Sequence, residues 1–164
     1  MNDSSLYSVL SDATSSSIPD WGMAAIDARR KRSAERVAAL AFRRQRWIES
    51  NRYFYASLAR LLRHLVGTGQ RVLVLRSETG ELLRAVQPSV GVGMEISGQM
   101  IEAARQTNPQ FRYLEGFPDG ADFKTLFQAT ERFDHIIVNQ VNDLVQVEAL
   151  LENISPLCER HTRV

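Results

Sequence analysis

Residues 71–109 read RVLVLRSETGELLRAVQPSVGVGMEISGQMIEAARQTNP, and this stretch decides the fold. It opens with Arg71-Val-Leu-Val-Leu75, a nearly continuous apolar run of the kind that forms a strand covered on both faces. A turn and a short helix over Thr79 to Val86 follow, stopped by Pro88. Val90-Gly-Val-Gly-Met-Glu-Ile96 predicts a second strand. Ser97 is placed to cap the next helix, whose inner side carries Met100, Ile101 and Ala104 and which Pro109 ends. Strands and helices alternating at this interval make parallel β-α-β units with right-handed crossovers.

The same rhythm continues toward the C-terminus. Phe111 to Glu115 predicts a third strand, and Asp122 to Thr130 a helix with Phe123, Leu126 and Phe127 on one side. Phe133 to Val138 predicts a fourth strand. Asp143 to Cys158 predicts a helix carrying Leu144, Val147, Leu150, Leu151 and Ile154, and Thr162 to Val164 begins a fifth strand. Toward the N-terminus, residues 51–66 form a helix with Phe54, Leu58, Leu61, Leu62 and Leu65 in one apolar stripe, ended by Gly67 and Gly69. Residues 21–48 form another, capped by Asp20, with Val37, Leu40, Ala41 and Ile48 at helical spacing. Residues 1–19 are rich in Ser and Asp and too poor in apolar groups to offset their ordering entropy. The expected organisation is a disordered tail over 1–20, two helices over 21–66 and a Rossmann-like domain over 67–164. The fold class is α/β, a doubly wound parallel sheet with four to five strands.

Bulk properties narrow the function. The 164 residues are 44% hydrophobic and 24% charged, with a formal net charge of +1, so global charge selects no partner. The one cysteine, Cys158, can form no internal disulfide, and it fits an apolar helix face better than a nucleophile's place. His64, His135 and His161 lack metal-ligand spacing, and His135 lies inside a strand, where it reads as structural. No apolar run approaches the ~20 residues of a membrane span. The N-terminus has no basic region followed by an apolar stretch, so no signal peptide is expected and the cytoplasm is the expected location.

The segment 29–46 holds eight basic residues against one acid, Glu35. Contact with nucleic acid, an anionic membrane surface or an acidic partner is one reading. A solvated helix face, with Trp47 and Ile48 packing on the domain, is the preferred one, and nucleic acid is not expected as a partner.

In doubly wound sheets the ligand lies beyond the carboxyl ends of the strands. Those positions hold Arg76-Ser-Glu-Thr-Gly80 after the first strand, Glu95 at the end of the second, residues 116–119 after the third, and Asn139 and Gln140 after the fourth. An acid ending the second strand is placed to accept hydrogen bonds from a ribose diol; the alternative is an exposed strand-end acid. Ile96 and Met100 either flank an adenine or belong to the core.

The run RVLVLRSETGELLRAVQPSVGVGMEISGQMIEAARQTNP resembles the opening of class I S-adenosylmethionine-dependent methyltransferases: an apolar strand, a Gly-x-Gly-x-Gly loop, a helix, and a strand ending in Asp or Glu. The likeness continues through FRYLEG and FDHIIVNQVNDLVQVEALLENISPLC, and NRYFYASLARLLRHLV is similar to the helix that precedes the first strand in many members. The resemblance implies S-adenosylmethionine as cofactor and a small-molecule methyl acceptor. It implies a cofactor site at Ser77, Thr79, Gly80, Glu95, Ile96, Met100, Phe117 and Asn139.

The chain departs from the pattern in the loop. The family has glycine at positions corresponding to 76, 78 and 80; this sequence has Arg76, Glu78 and Gly80. The acids usual in the first strand and after Gly116 are replaced by Val74 and Phe117. Side chains at 76 and 78 occupy space the cofactor needs, and a non-glycine residue at positive φ costs roughly 1 kcal/mol or more. Weak or absent cofactor affinity is the expectation. Two functions follow: a methyltransferase, or a degenerate, inactive methyltransferase-like domain with a structural or partner-binding role. The family's sheet has more strands than this chain supplies. Strand four is therefore expected to be an open apolar edge, available to a partner protein or to self-association, in a fragment or decayed copy of a longer protein.

Overall fold

The structure is a computed structural model, and it describes residues 20–140 and 146–164. The expected tail over 1–19 lies outside the described residues. The chain divides into two compact units, Met1–Lys31 and Arg32–Val164. Within the first, Arg30 and Asp27 pair one helical turn apart at 3.7 Å. The second holds the whole sheet.

Helix α1 spans Asp20–Ser50 and α2 spans Arg52–Val66. Then come β1 (Arg71–Leu75), α3 (Glu81–Val86), β2 (Val90–Glu95), α4 (Gly98–Thr107) and β3 (Arg112–Glu115). After a 3-10 turn at Phe123–Leu126 follow β4 (Phe133–Val138), α5 (Val147–Ile154), a second 3-10 turn (Ser155–Leu157) and β5 (Cys158–Arg163). The sheet is five-stranded and parallel, in the order β3-β2-β1-β4-β5.

The buried run predicted for β1 is there: Val72 to Leu75 are completely buried. Alternation along the strand sends its side chains to two cores. Leu73 and Leu75 join Met94, Phe123, Phe133, Ile136, Leu150 and Ile154 on one face. Val72 and Val74 join Val66, Leu83, Val86, Ile101 and Ala104 on the other. Helices therefore cover both faces, as a parallel sheet requires. Ser97 caps α4, its hydroxyl accepting from the Met100 amide at 3.4 Å. At the amino ends of the strands, Asp134 on β4 accepts the Arg71 amide at 2.7 Å and its guanidinium at 2.8 Å. Those bonds from Arg71 hold the Asp134 carboxyl below the usual carboxylate range.

Several expectations fail locally. The helix expected over Asp122–Thr130 is only the 3-10 turn: Phe127 is already extended, its ring tilted against that of Phe123 with centroids 5.0 Å apart. The helix expected to reach Cys158 ends at Ile154; Pro156 in the following turn supplies no amide hydrogen, so the helical ladder cannot continue. Its first residues, 143–145, lie outside the described ones. Cys158 therefore opens β5, four residues before the predicted start, and is half-buried in a strand. Burial pushes its thiol up. Because β5 pairs along β4, strand four is not an open apolar edge. The edge is β5 itself, with exposed Glu159, Arg160 and His161, and such charges discourage edge pairing. Finally, Phe54, Leu61 and Leu65 of the α2 stripe are exposed, while Leu62 and Val66 pack on the sheet.

Candidate functional site at the strand ends

Parallel register aligns the carboxyl ends: Leu75 lies beside Met94 and Val138, and Glu95 beside Glu115. The chain leaves β1 in a turn whose alternate residues all have positive φ: Arg76 at 61°, Glu78 at 50° and Gly80 at 84°. These are the three positions at which the family resemblance placed glycine. The backbone keeps the glycine-loop shape although two of its residues carry side chains, a strain that packing elsewhere must outweigh.

That packing is visible. The Ser77 amide donates to the Met94 carbonyl at 2.9 Å, and a Cβ on Gly93 would lie 2.6 Å from the Ser77 hydroxyl oxygen. Asn139 donates its side-chain amide to the Arg76 carbonyl at 3.1 Å, and its backbone amide to Leu75, also at 3.1 Å. Asn108 donates to the Thr79 carbonyl at 2.9 Å. The Thr79 hydroxyl donates to Glu81. Tyr113 closes over Gly80: a Cβ there would sit 2.2 Å from its hydroxyl oxygen. Burial first, and Glu81 second, push the Tyr113 hydroxyl up to about 12.

The two acids of the site point inward. Glu95 is 0% exposed. Its Oε2 accepts the Glu78 amide at 2.9 Å and its Oε1 the Ile96 amide at 2.7 Å, with the Arg76 guanidinium 3.6 Å from Oε1. Burial pushes the Glu95 carboxyl up against the opposing pull of Arg76 and the two amides. Glu78 is likewise raised by burial, against the pull of Arg44 and Gln140. One of its oxygens pairs with Arg44 of α1, and the other accepts from Gln140 Nε2 at 2.6 Å. Arg44 is held a second time by the Tyr55 ring, 5.4 Å from its centroid.

Beyond these pairs lies a cavity of about 830 Å³ between α1 and the ends of β1 and β4. Arg43, Arg44, Arg46 and Trp47 line it from α1; Arg76, Glu78 and Gln140 line it from the strand ends.

The sequence-predicted residues fall into two groups. Ser77, Thr79, Gly80, Glu95 and Asn139 do converge at the loop after β1, where each is hydrogen-bonded within the chain: Gly80 to Ser77, and the others to Met94, Glu81, Asn108, Glu78, Ile96, Arg76 and Leu75. Ile96 and Met100 are buried at 4% and 2% exposure. Phe117 stands in the turn after β3, its carbonyl accepting from Gly120 at 2.9 Å. Trp47, expected to pack on the domain with Ile48, is 58% exposed beside the cavity, whereas Ile48 is buried. Sequence reasoning missed Arg44 as the partner of Glu78, and Tyr113 and Asn108 as braces of Gly80. The only signal for Arg44 was its membership of the basic run.

No protein-family model matches the sequence, and no curated protein matches it significantly; solved structures do. A SAM-dependent methyltransferase of Thermotoga maritima, described as a possible histamine N-methyltransferase, superposes with a TM-score of 0.62 at 19% identity. The match covers 77% of this chain and 56% of that one. A TehB-like SAM-dependent methyltransferase of Corynebacterium glutamicum gives 0.52 at 19% identity, over 72% and 68%. The glycopeptide N-methyltransferase MtfA, solved with sinefungin, gives 0.51 at 18%, over 65% and 50%. The fold is that of class I SAM-dependent methyltransferases. The chain spans about half the length of several structures it matches, 56% and 50% in the first and last of these.

The methyltransferase fold implies an S-adenosyl cofactor, and the residues of the site can be tested against it. A ribose needs an accessible carboxylate at the end of β2, yet Glu95 has no exposed surface and both its oxygens are engaged. The methionyl part needs bare backbone at 76 and 78, where the buried Arg76 side chain and the partly buried Glu78 side chain stand. In this arrangement the residues do not fit the cofactor.

Proposed function

We propose that this chain is a methyltransferase-like domain whose cofactor cradle is filled by its own side chains, and that it serves as a binding domain rather than a methyl-transfer catalyst. The carrying observation is Glu95, which accepts two backbone amides and faces the Arg76 guanidinium with no surface left for a ligand. Displacing Arg76 would leave a buried carboxylate without its counter-charge, which is costly in a low-dielectric interior. A cofactor would have to offset that loss.

Methyl transfer to a small molecule is the second reading, and the strand order β3-β2-β1-β4-β5 with an acid ending β2 favours it. It requires Arg76 and Glu78 to swing away together. Isothermal titration with S-adenosylhomocysteine separates the two. The binding-domain reading expects no heat from the natural chain, and recovered binding in an Arg76→Gly/Glu78→Gly variant. Micromolar binding by the natural chain would instead overturn the filled cradle and favour the enzyme reading.

A further inference from the structure

The arginines around the cavity are not equivalent. Arg44 is committed to Glu78, and Arg76 stands against Glu95. Arg43 and Arg46 pair with no carboxylate among the described residues, and both are exposed on the cavity wall. Two of the wall's four guanidinium groups, those of Arg43 and Arg46, therefore stand beyond the Arg44–Glu78 and Arg76–Glu95 pairs, and both oxygens of the wall's one carboxylate, Glu78, are occupied. A cleft lined by one sign of charge focuses its field on the space it encloses. Leu40, Arg43, Arg44 and Trp47 recur at i, i+3, i+4 and i+7, so one face of α1 presents all of them. Leu40 is 56% exposed and Trp47 58%, so large apolar surface lies beside the uncompensated charge.

We propose that this cavity binds a small aromatic anion, a phosphate or carboxylate carried on an aryl body. Guanidinium forks of Arg43 and Arg46 match the paired oxygens of such a head group. The Trp47 face offers an aromatic ring a partner for stacking. The volume lies within the range of about 300–1,000 Å³ usual for small-molecule sites. S-adenosylmethionine is a poor occupant on the same grounds, since its sulfonium and ammonium groups would face guanidinium groups. The proposal rests on the reading that Arg76 and Glu78 stay in place as cavity walls.

The test is calorimetric titration of the full chain with 1-naphthyl phosphate, 1-naphthol, inorganic phosphate and S-adenosylhomocysteine. The expected result is saturable binding of 1-naphthyl phosphate at least about tenfold tighter than 1-naphthol or phosphate alone, since each half then contributes. Arg43→Gln/Arg46→Gln should weaken it at least about tenfold, whereas Arg60→Gln/Arg63→Gln, the same charge change on α2, should leave it within about twofold. Circular dichroism melts establish that each variant is folded. Naphthyl phosphate binding no tighter than its two parts overturns the proposal, as does equal weakening by both double variants; the self-filled cradle survives either result. Binding of S-adenosylhomocysteine to the natural chain overturns the cradle reading and this proposal together.

Discussion

The loop after β1 and the facing side of α1 are both crowded with charge, yet they use it in opposite ways. At the loop, Arg76 and Glu78, and Glu95 beneath them at the end of β2, each meet a partner supplied by the chain, and the side chains are largely buried. On α1, Arg43 and Arg46 meet none among the described residues, although they lie one and two residues from Arg44, which does. A charge already satisfied inside the fold stabilises or strains the fold; an unsatisfied one at a cavity wall is available to a ligand. Counting charged residues does not separate these cases, and following each to its partner does.

If the loop is a structural plug, removing its central carboxylate should cost more than any other substitution in the site. Glu95→Ala leaves two buried amides and a guanidinium without their acceptor, and a loss of about 3–5 kcal/mol in urea unfolding is expected. A loss under about 1 kcal/mol would mean that water or a ligand normally fills this place. The pH dependence carries a second signature. Burial raises the Glu95 carboxyl in the folded state, so its stabilisation is fully present below the unfolded value near 4.3 and declines as pH rises through the folded one. Glu95→Gln should flatten that decline. Asp134 acts in the opposite sense: its lowered carboxyl gives stability above the unfolded value that is lost as pH falls through the folded one.

Gly80→Ala comes next. Its new Cβ would lie 2.2 Å from the Tyr113 hydroxyl oxygen at a φ of 84°, so about 2–4 kcal/mol of destabilisation is expected. Adding Tyr113→Phe removes the closest atom but leaves the ring carbon at 3.2 Å, so it should recover only part of the loss. Tyr113→Phe alone tests the alkaline limb. A hydroxyl pushed up to about 12 from an unfolded value near 10 gives stability that is lost as pH rises between them, and the phenylalanine variant should lack that slope.

How much of this was legible in the sequence depended on the range of the interaction. The order of strands and helices was legible because apolar runs such as Val72–Leu75 are local and buried on both faces. The positive-φ turn was legible at positions 76, 78 and 80 through the family spacing, with backbone geometry surviving the loss of two glycines. Helix ends near Phe127 and Pro156 were not, because short turns and caps compete there with a continuing apolar pattern. The α2 stripe was visible as a pattern, but a pattern cannot state what covers it, and Phe54, Leu61 and Leu65 turned out exposed. Least legible was the plug itself. Glu78 meets Arg44 across 34 residues and Gln140 across 62, through long side chains whose direction no local periodicity fixes.

The smallest effects sharpen the contrast most. Arg44→Gln removes the cation from a mostly buried Glu78, and about 1–3 kcal/mol should be lost at neutral pH. The loss should shrink as pH falls, because Glu78, already raised by burial, can then take up a proton instead of standing charged and unpaired. Arg43→Gln and Arg46→Gln remove equal charge from the same helix, yet each should change stability by no more than about 0.5 kcal/mol. Removing either also relieves repulsion among the neighbouring guanidinium groups, so a slight gain is the expected sign at low salt, fading as salt is added. Equal losses for Arg43, Arg44 and Arg46 in parallel urea titrations would show that the fold depends on all three. The distinction between a satisfied loop and an unsatisfied wall would then collapse.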